Sequence, residues 1–122
     1  MKIYYPGQTV QHGKGTVDSD STSGQLMKVT DDDTFEPLTV ATEMPAGILL
    51  ADPDKEALAT VVWGYGALIH LDTTEVAVTL VAGDKVMGHS SGFFTKYAAG
   101  GGAVALGIVI SAESGYDIKI YF

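Results

Sequence analysis

The sequence contains no cysteine and no arginine. Without cysteine there are neither disulfides nor thiolate metal ligands, so one apolar core must hold the fold. The absence also fits folding in a reducing cytoplasm, although cysteine-free exported proteins exist. Without arginine the chain lacks the side chain that makes the commonest base-edge contacts. Seven lysines stand against fifteen acids, a formal net charge of −8. Nucleic-acid binding needs a basic stripe that displaces phosphate counterions, so DNA and RNA are not expected ligands. A solvated acidic surface that keeps the protein soluble is the direct reading, and an acidic patch for a basic partner is the second.

Long apolar runs are missing too. The longest, "GAVALGIVI" at 102–110, is about half of what a membrane-spanning helix needs. The opening "MKIYYPGQTVQHGKG" has no apolar segment of the kind a secretory signal requires. A soluble protein with no membrane partner is expected. At 122 residues the chain is one domain by length, able to bury roughly two thirds of its surface.

Helix-period patterns are sparse, and fifteen glycines are present. The clearest element is the strand "YDIKIYF" (116–122), with Tyr116, Ile118, Ile120 and Phe122 on one face and Asp117, Lys119 and Tyr121 on the other. Further aliphatic runs are "QLMKVT" (25–30), "AGILLA" (46–51), "ATVVW" (59–63) and "ALIHL" (67–71). Turn signals separate them: "DDD" (31–33), "DPDKE" (52–56), "GYG" (64–66) and "AGDK" (82–85). "DPDKEAL" is the best helix candidate, but Pro53 and its shortness favour a turn. "LDTTEVAVTLV" (71–81) fits a strand by its β-branched residues or a short helix by its length. The expected class is therefore all-β with at most one short helix, as a small barrel or sandwich.

Residues 1–23 differ from the rest. "GQTVQHGKGTVDSDSTSG" is polar and rich in glycine and serine, with too few apolar residues to bury itself. We expect an extended N-terminal arm over 1–23, flexible until bound, and a β-rich domain over 24–122. The tip carries Ile3, Tyr4, Tyr5 and Pro6. Aromatic side chains on an arm favour burial against something, which makes these four the candidate partner interface. The competing reading is that the tip adds a strand to its own domain.

Chemistry-bearing motifs are few. "GHSSG" (88–92) matches the G-x-S-x-G pattern of a nucleophile elbow, with Ser90 as the nucleophile. An elbow needs a helix after the serine, whereas "FFTKYAAGGG" has no helical start. It also needs a later histidine, and the three present are His12, His70 and His89. A hairpin turn between "GDKVMG" and "FFTKY" is the better reading, since serine and glycine supply what tight turns need. Asp31, Asp32, Asp33 and Glu36, or Asp18 and Asp20, offer carboxylates without the spacing of a calcium loop. The histidines form no ligand pair, and "GYG" and "GGGAVALG" match no phosphate-binding fingerprint. Trp63, Tyr65, Phe93 and Phe94 suit a core or interface better than a sugar-binding face. No catalytic activity, cofactor, metal or small-molecule substrate is expected.

Over 24–120 the order of features resembles the head-decoration, or capsid cement, proteins of tailed double-stranded-DNA bacteriophages. The residues carrying the likeness are Ala46-Gly47-Ile48-Leu49 before an acidic turn, "ATVVWGYGAL", Gly83-Asp84-Lys85-Val86, and Gly107-Ile108-Val109. These motifs are short and apolar. The resemblance implies a β-tulip-like domain that is made in the host cytoplasm and forms homotrimers on the outer capsid surface of the virion. Its partner there is the major capsid protein, whose neighbouring subunits it clamps after the shell expands. The alternatives are a β-sandwich ligand-binding or adhesion module using Trp63 and Tyr65, and a minor structural protein of a phage tail.

Overall fold

The computed structural model describes residues 1–5, 9–17, 20–32, 34–50, 58–63 and 66–122. Among these residues the chain is all-β, with no helix. The first six strands are β1 (Lys2–Tyr5), β2 (Thr9–Val17), β3 (Leu26–Asp31), β4 (Thr34–Pro37), β5 (Gly47–Leu49) and β6 (Leu58–Trp63). The remaining five are β7 (Leu68–Leu71), β8 (Lys85–Gly88), β9 (Phe94–Lys96), β10 (Gly107–Ser111) and β11 (Tyr116–Ile120). They form two sheets. One is antiparallel, in the order β1-β7-β11-β10-β8-β9. The other runs β2-β4-β3-β5-β6 and returns to β2, closing five strands into a ring. The closure is narrow on one side, because β2 meets β4 in parallel through two residue pairs only, Thr16 with Thr34 and Val17 with Phe35.

The period of two read from the sequence is what buries the core. In β11 Tyr116, Ile118 and Ile120 are buried while Lys119 faces out. Across the ladder Ile118 stands opposite Ile69 of β7 and Val109 of β10. Leu26 and Ile48 from the closed sheet, with Leu38 just after β4, pack into the same core as Ile69, Leu71, Val86, Phe94 and Ile118. The two sheets therefore share one core.

The N-terminal segment contributes two strands among the described residues. Residues 2–5 are β1, whose Lys2 and Ile3 pair with His70 and Ile69 of β7. Residues 9–17 are β2, which pairs antiparallel with β6 from Thr9 opposite Trp63 to Thr16 opposite Leu58. The tip thus lies along β7. The physical reason is that β pairing is a main-chain interaction, so a polar, glycine-containing segment can join a ladder whose apolar pattern is carried by its neighbours. Residues 51–57, which hold all of the helix candidate 52–58 but its last residue, lie outside the described residues, and Leu58 opens β6.

The ambiguous stretch 71–81 is neither a strand nor a helix beyond Leu71. Asp72 turns the chain. Its Oδ1 accepts the Thr74 amide at 2.8 Å and its carbonyl accepts the Glu75 amide at 3.1 Å. The segment then crosses to β9, where Val76 bridges Phe94 in parallel and the Ala77 amide donates to the Phe94 carbonyl at 2.8 Å.

Candidate interaction surfaces

The stretch "GHSSG" is the turn of the β8–β9 hairpin. The His89 amide donates to the Phe93 carbonyl at 3.0 Å and the Gly92 amide to the His89 carbonyl at 2.8 Å. Ser91 organises the tip: its hydroxyl lies 2.9 Å from His89 Nδ1, and its amide donates to the same nitrogen at 3.1 Å. Ser90, the residue an elbow would use, is exposed. The imidazole of His89 is thus engaged by its neighbour Ser91.

The same turn fastens the two sheets together. The Leu26 amide donates to the Gly92 carbonyl at 2.7 Å, and Gln25 Nε2 donates to the Ser91 carbonyl at 2.9 Å. Gln25 is itself held by the Thr22 amide, which donates to its Oε1 at 2.8 Å. Gly92 has φ of 87°, and a Cβ there would stand 2.9 Å from Pro37 Cβ and 3.3 Å from Gln25 Nε2. Only glycine meets both the left-handed backbone and this close approach.

Two further polar clusters fix loops. Buried Glu75 receives the Met1 ammonium at 2.8 Å and the Ser23 hydroxyl at 2.6 Å on Oε2, and the Asp72 amide at 3.1 Å on Oε1. It ties the start of β1 to the loop before β3 and to the turn after β7. Glu43 closes the 39–43 turn by accepting the Thr39 amide at 3.2 Å and the Val40 amide at 2.8 Å, while Lys28 Nζ approaches its other oxygen at 2.8 Å. The Lys28 ammonium outweighs the opposing effect of desolvation and, helped by the weaker Thr39 and Val40 hydrogen bonds, holds the Glu43 carboxyl below its ordinary value. Asp72 is lowered likewise, first by the Thr74 hydroxyl and then by the Thr74 amide.

His70, read as a strand residue, sits in β7 and pairs with Asp117 of β11 at 2.8 Å. Among the described residues no three histidine, aspartate or glutamate side chains gather to hold a metal ion. Asp31 and Asp32 lie in and just after β3, with Asp31 Oδ1 accepting the Asp32 amide at 2.8 Å. Asp18 and Asp33 lie outside the described residues. A cleft of about 350 Å³ opens beside the 73–79 segment, lined by Thr73, Val76, Ala77, Val78, Thr79 and Tyr116 and by no charged side chain. Trp63 ends β6, and Tyr65 lies outside the described residues, so the sugar-face reading gains no geometry.

Of the predicted interface residues, Ile3, Tyr4 and Tyr5 belong to β1, and Pro6 lies outside the described residues. β1 stands at the end of the sheet order. An edge strand is a ready template for pairing with another chain.

The sequence reading passed over the exposed apolar side chains. Val40 and Met44 flank the turn closed by Glu43, and Val104 follows the triple glycine; they are 51%, 61% and 49% exposed. Val81 stands at the Asp84 turn, its amide donating to Asp84 Oδ2 at 2.9 Å, and Val29, Val78 and Ile110 are exposed as well. Nothing in the residue pattern of the first group marks it, because the signal is a missing one: 97–112 carries no charge, and in 37–51 Glu43 is the sole charged residue.

In comparisons with known proteins, no family model matches this chain and no curated sequence matches it significantly.

Proposed function

We propose that this protein is a head-decoration protein of a tailed double-stranded-DNA bacteriophage, binding the outer face of the expanded capsid as a homotrimer and stabilising the head. The observation that carries the reading is the placement of the N-terminal segment. It supplies strand β1 at the edge of a small all-β domain with one shared core, where the main chain is positioned to pair with a neighbouring subunit. Ile3, Tyr4, Tyr5 and Pro6 are the proposed contacts with the major capsid protein.

The charge agrees with that role. A cement must hold a joint under the pressure of packaged DNA while staying off the DNA, and a chain with net charge −8 and no arginine is repelled by phosphate. Three copies joined in one trimer add avidity of about 10²–10⁴ over a single contact when all three engage. The test is co-sedimentation of the full chain with expanded capsids and with unexpanded shells. Saturable binding to the expanded form alone is expected, and equal indifference to both overturns the proposal.

A further inference from the structure

We infer that the cleft beside the 73–79 segment is a docking site for an extended peptide of another protein, gripped by its main chain and flanked by lysine or arginine rather than by acids. The inference goes beyond the decoration reading and does not rest on it.

The segment is one half of an unfinished ladder. Val76 bridges Phe94 of β9 in parallel, and the Ala77 amide donates to the Phe94 carbonyl at 2.8 Å. In extended chain the main-chain groups of successive residues point to opposite sides. With Ala77 turned to β9, the N–H and C=O of Val76 point away from it. Among the described residues neither these groups nor the amides of Val78 and Thr79 have a hydrogen-bond partner. A second main chain, laid alongside, is the ligand that brings donors and acceptors at this repeat.

Tyr116 points to a ligand independently. It is 5% exposed and lines the cleft together with Thr73, Val76, Ala77, Val78 and Thr79. Its hydroxyl accepts the Leu80 amide at 3.3 Å, and among the described residues it donates to nothing. A phenol can do both, and a buried one normally does. Leu80 follows Thr79, so the unspent proton lies at that end of the cleft, where a peptide carbonyl would accept it. The volume of about 350 Å³ falls within the range of ligand sites.

Charge narrows the choice of peptide. No charged side chain lines the cleft, so a charge on the ligand's middle residues would be desolvated there without a partner. The 71–81 stretch has two acids, Asp72 and Glu75, and no base. Asp72 is exposed, and its bonds from Thr74 hold the carboxyl below its ordinary pKa, so an anion stands beside Thr73. On a molecule of net charge −8, acidic flanks are repelled and basic flanks attracted.

The probe is the peptide acetyl-Lys-Thr-Val-Thr-Val-Thr-Lys-amide, titrated into the isotope-labelled full chain and followed by amide NMR. Saturable shifts at Val78, Thr79 and Leu80, with Kd below about 1 mM, are expected. The glutamate-flanked counterpart should bind more weakly at about 0.01 M ionic strength, where screening extends to about 30 Å. N-methylation of the peptide tests main-chain recognition without altering the protein. Methyl groups on its threonines and on its valines block opposite edges, so one form should lose binding and the other keep it. Tyr116→Phe keeps the buried ring and should weaken binding about two- to twelvefold, with urea unfolding as the check on its fold. Val78→Pro removes an amide that bonds to nothing in the free chain, and should weaken binding by a similar factor. No saturable shift, shifts centred on β1, or equal behaviour of the two methylated forms each overturns the inference. A stably folded Tyr116→Phe chain that binds like the wild type does the same. Concentration-dependent shifts at these amides without peptide would seat a second copy in the cleft and overturn it too.

Discussion

Replacing Gly92 with alanine separates the two meanings of "GHSSG", a turn that fastens two sheets or a nucleophile elbow. Three effects set the size of the change. A side chain in the left-handed region costs about 1–2 kcal/mol. Forcing a Cβ to within 2.9 Å of Pro37 Cβ adds an overpacking cost of about 1–3 kcal/mol, because Pro37 is a ring in β4 and has little room to yield. Alanine also narrows the unfolded ensemble, which returns about 0.4–1 kcal/mol. A net loss of about 1–4.6 kcal/mol follows, or a fall in Tm of roughly 4–18 °C for a domain of this size. Urea unfolding followed by tryptophan fluorescence, with calorimetry alongside, measures it. Ser90→Ala, at the exposed tip, should stay within about 0.5 kcal/mol of the wild type. Gly92→Ala as stable as the wild type, or Ser90→Ala as damaging as Gly92→Ala, refutes the reasoning.

Three other outcomes follow from the same structure. Glu75→Gln leaves the Met1 ammonium without its counter-charge at a buried site and should cost about 3 kcal/mol or more in urea unfolding. The Glu43 carboxyl is lowered chiefly by Lys28, so its folded-state pKa lies below its unfolded one. Its contribution is therefore present above the ordinary glutamate pKa and lost as pH falls through the folded value; urea midpoints taken down through the acid range should fall less steeply for Glu43→Gln than for the wild type. Deleting residues 1–23 removes β1 from one sheet and β2 from the closed ring, so the truncated chain should unfold at lower urea than the full chain as well as lose capsid binding.

Much of the fold is legible in the residues wherever side chains carry the pattern. "YDIKIYF" alternates cleanly, and β11 buries Tyr116, Ile118 and Ile120 as that alternation requires. The 88–92 turn is equally plain, since serine and glycine between two apolar runs leave few other conformations. The N-terminal strands are a different case. β2 joins its sheet through the main chain opposite β6, and a polar, glycine-containing sequence gives no sign of which ladder will accept it. The 71–81 stretch misleads in the other direction. Its valines favour a strand, yet Asp72 and Glu75 lock a turn that sends the chain across to β9 instead. The approach of the 98–104 loop to the 39–44 turn was the least visible, because the two stretches are far apart in the chain. Only folding brings Thr42 and Gly102 together.

The central claim, that this domain decorates a phage head, is tested most directly by titrating the purified chain onto expanded capsids lacking a decoration layer and weighing what sediments with them. The account predicts saturable binding that stops at one trimer for each local three-fold position, with unexpanded shells left bare. Binding that never saturates, that treats both shell forms alike, or that is absent from both contradicts it.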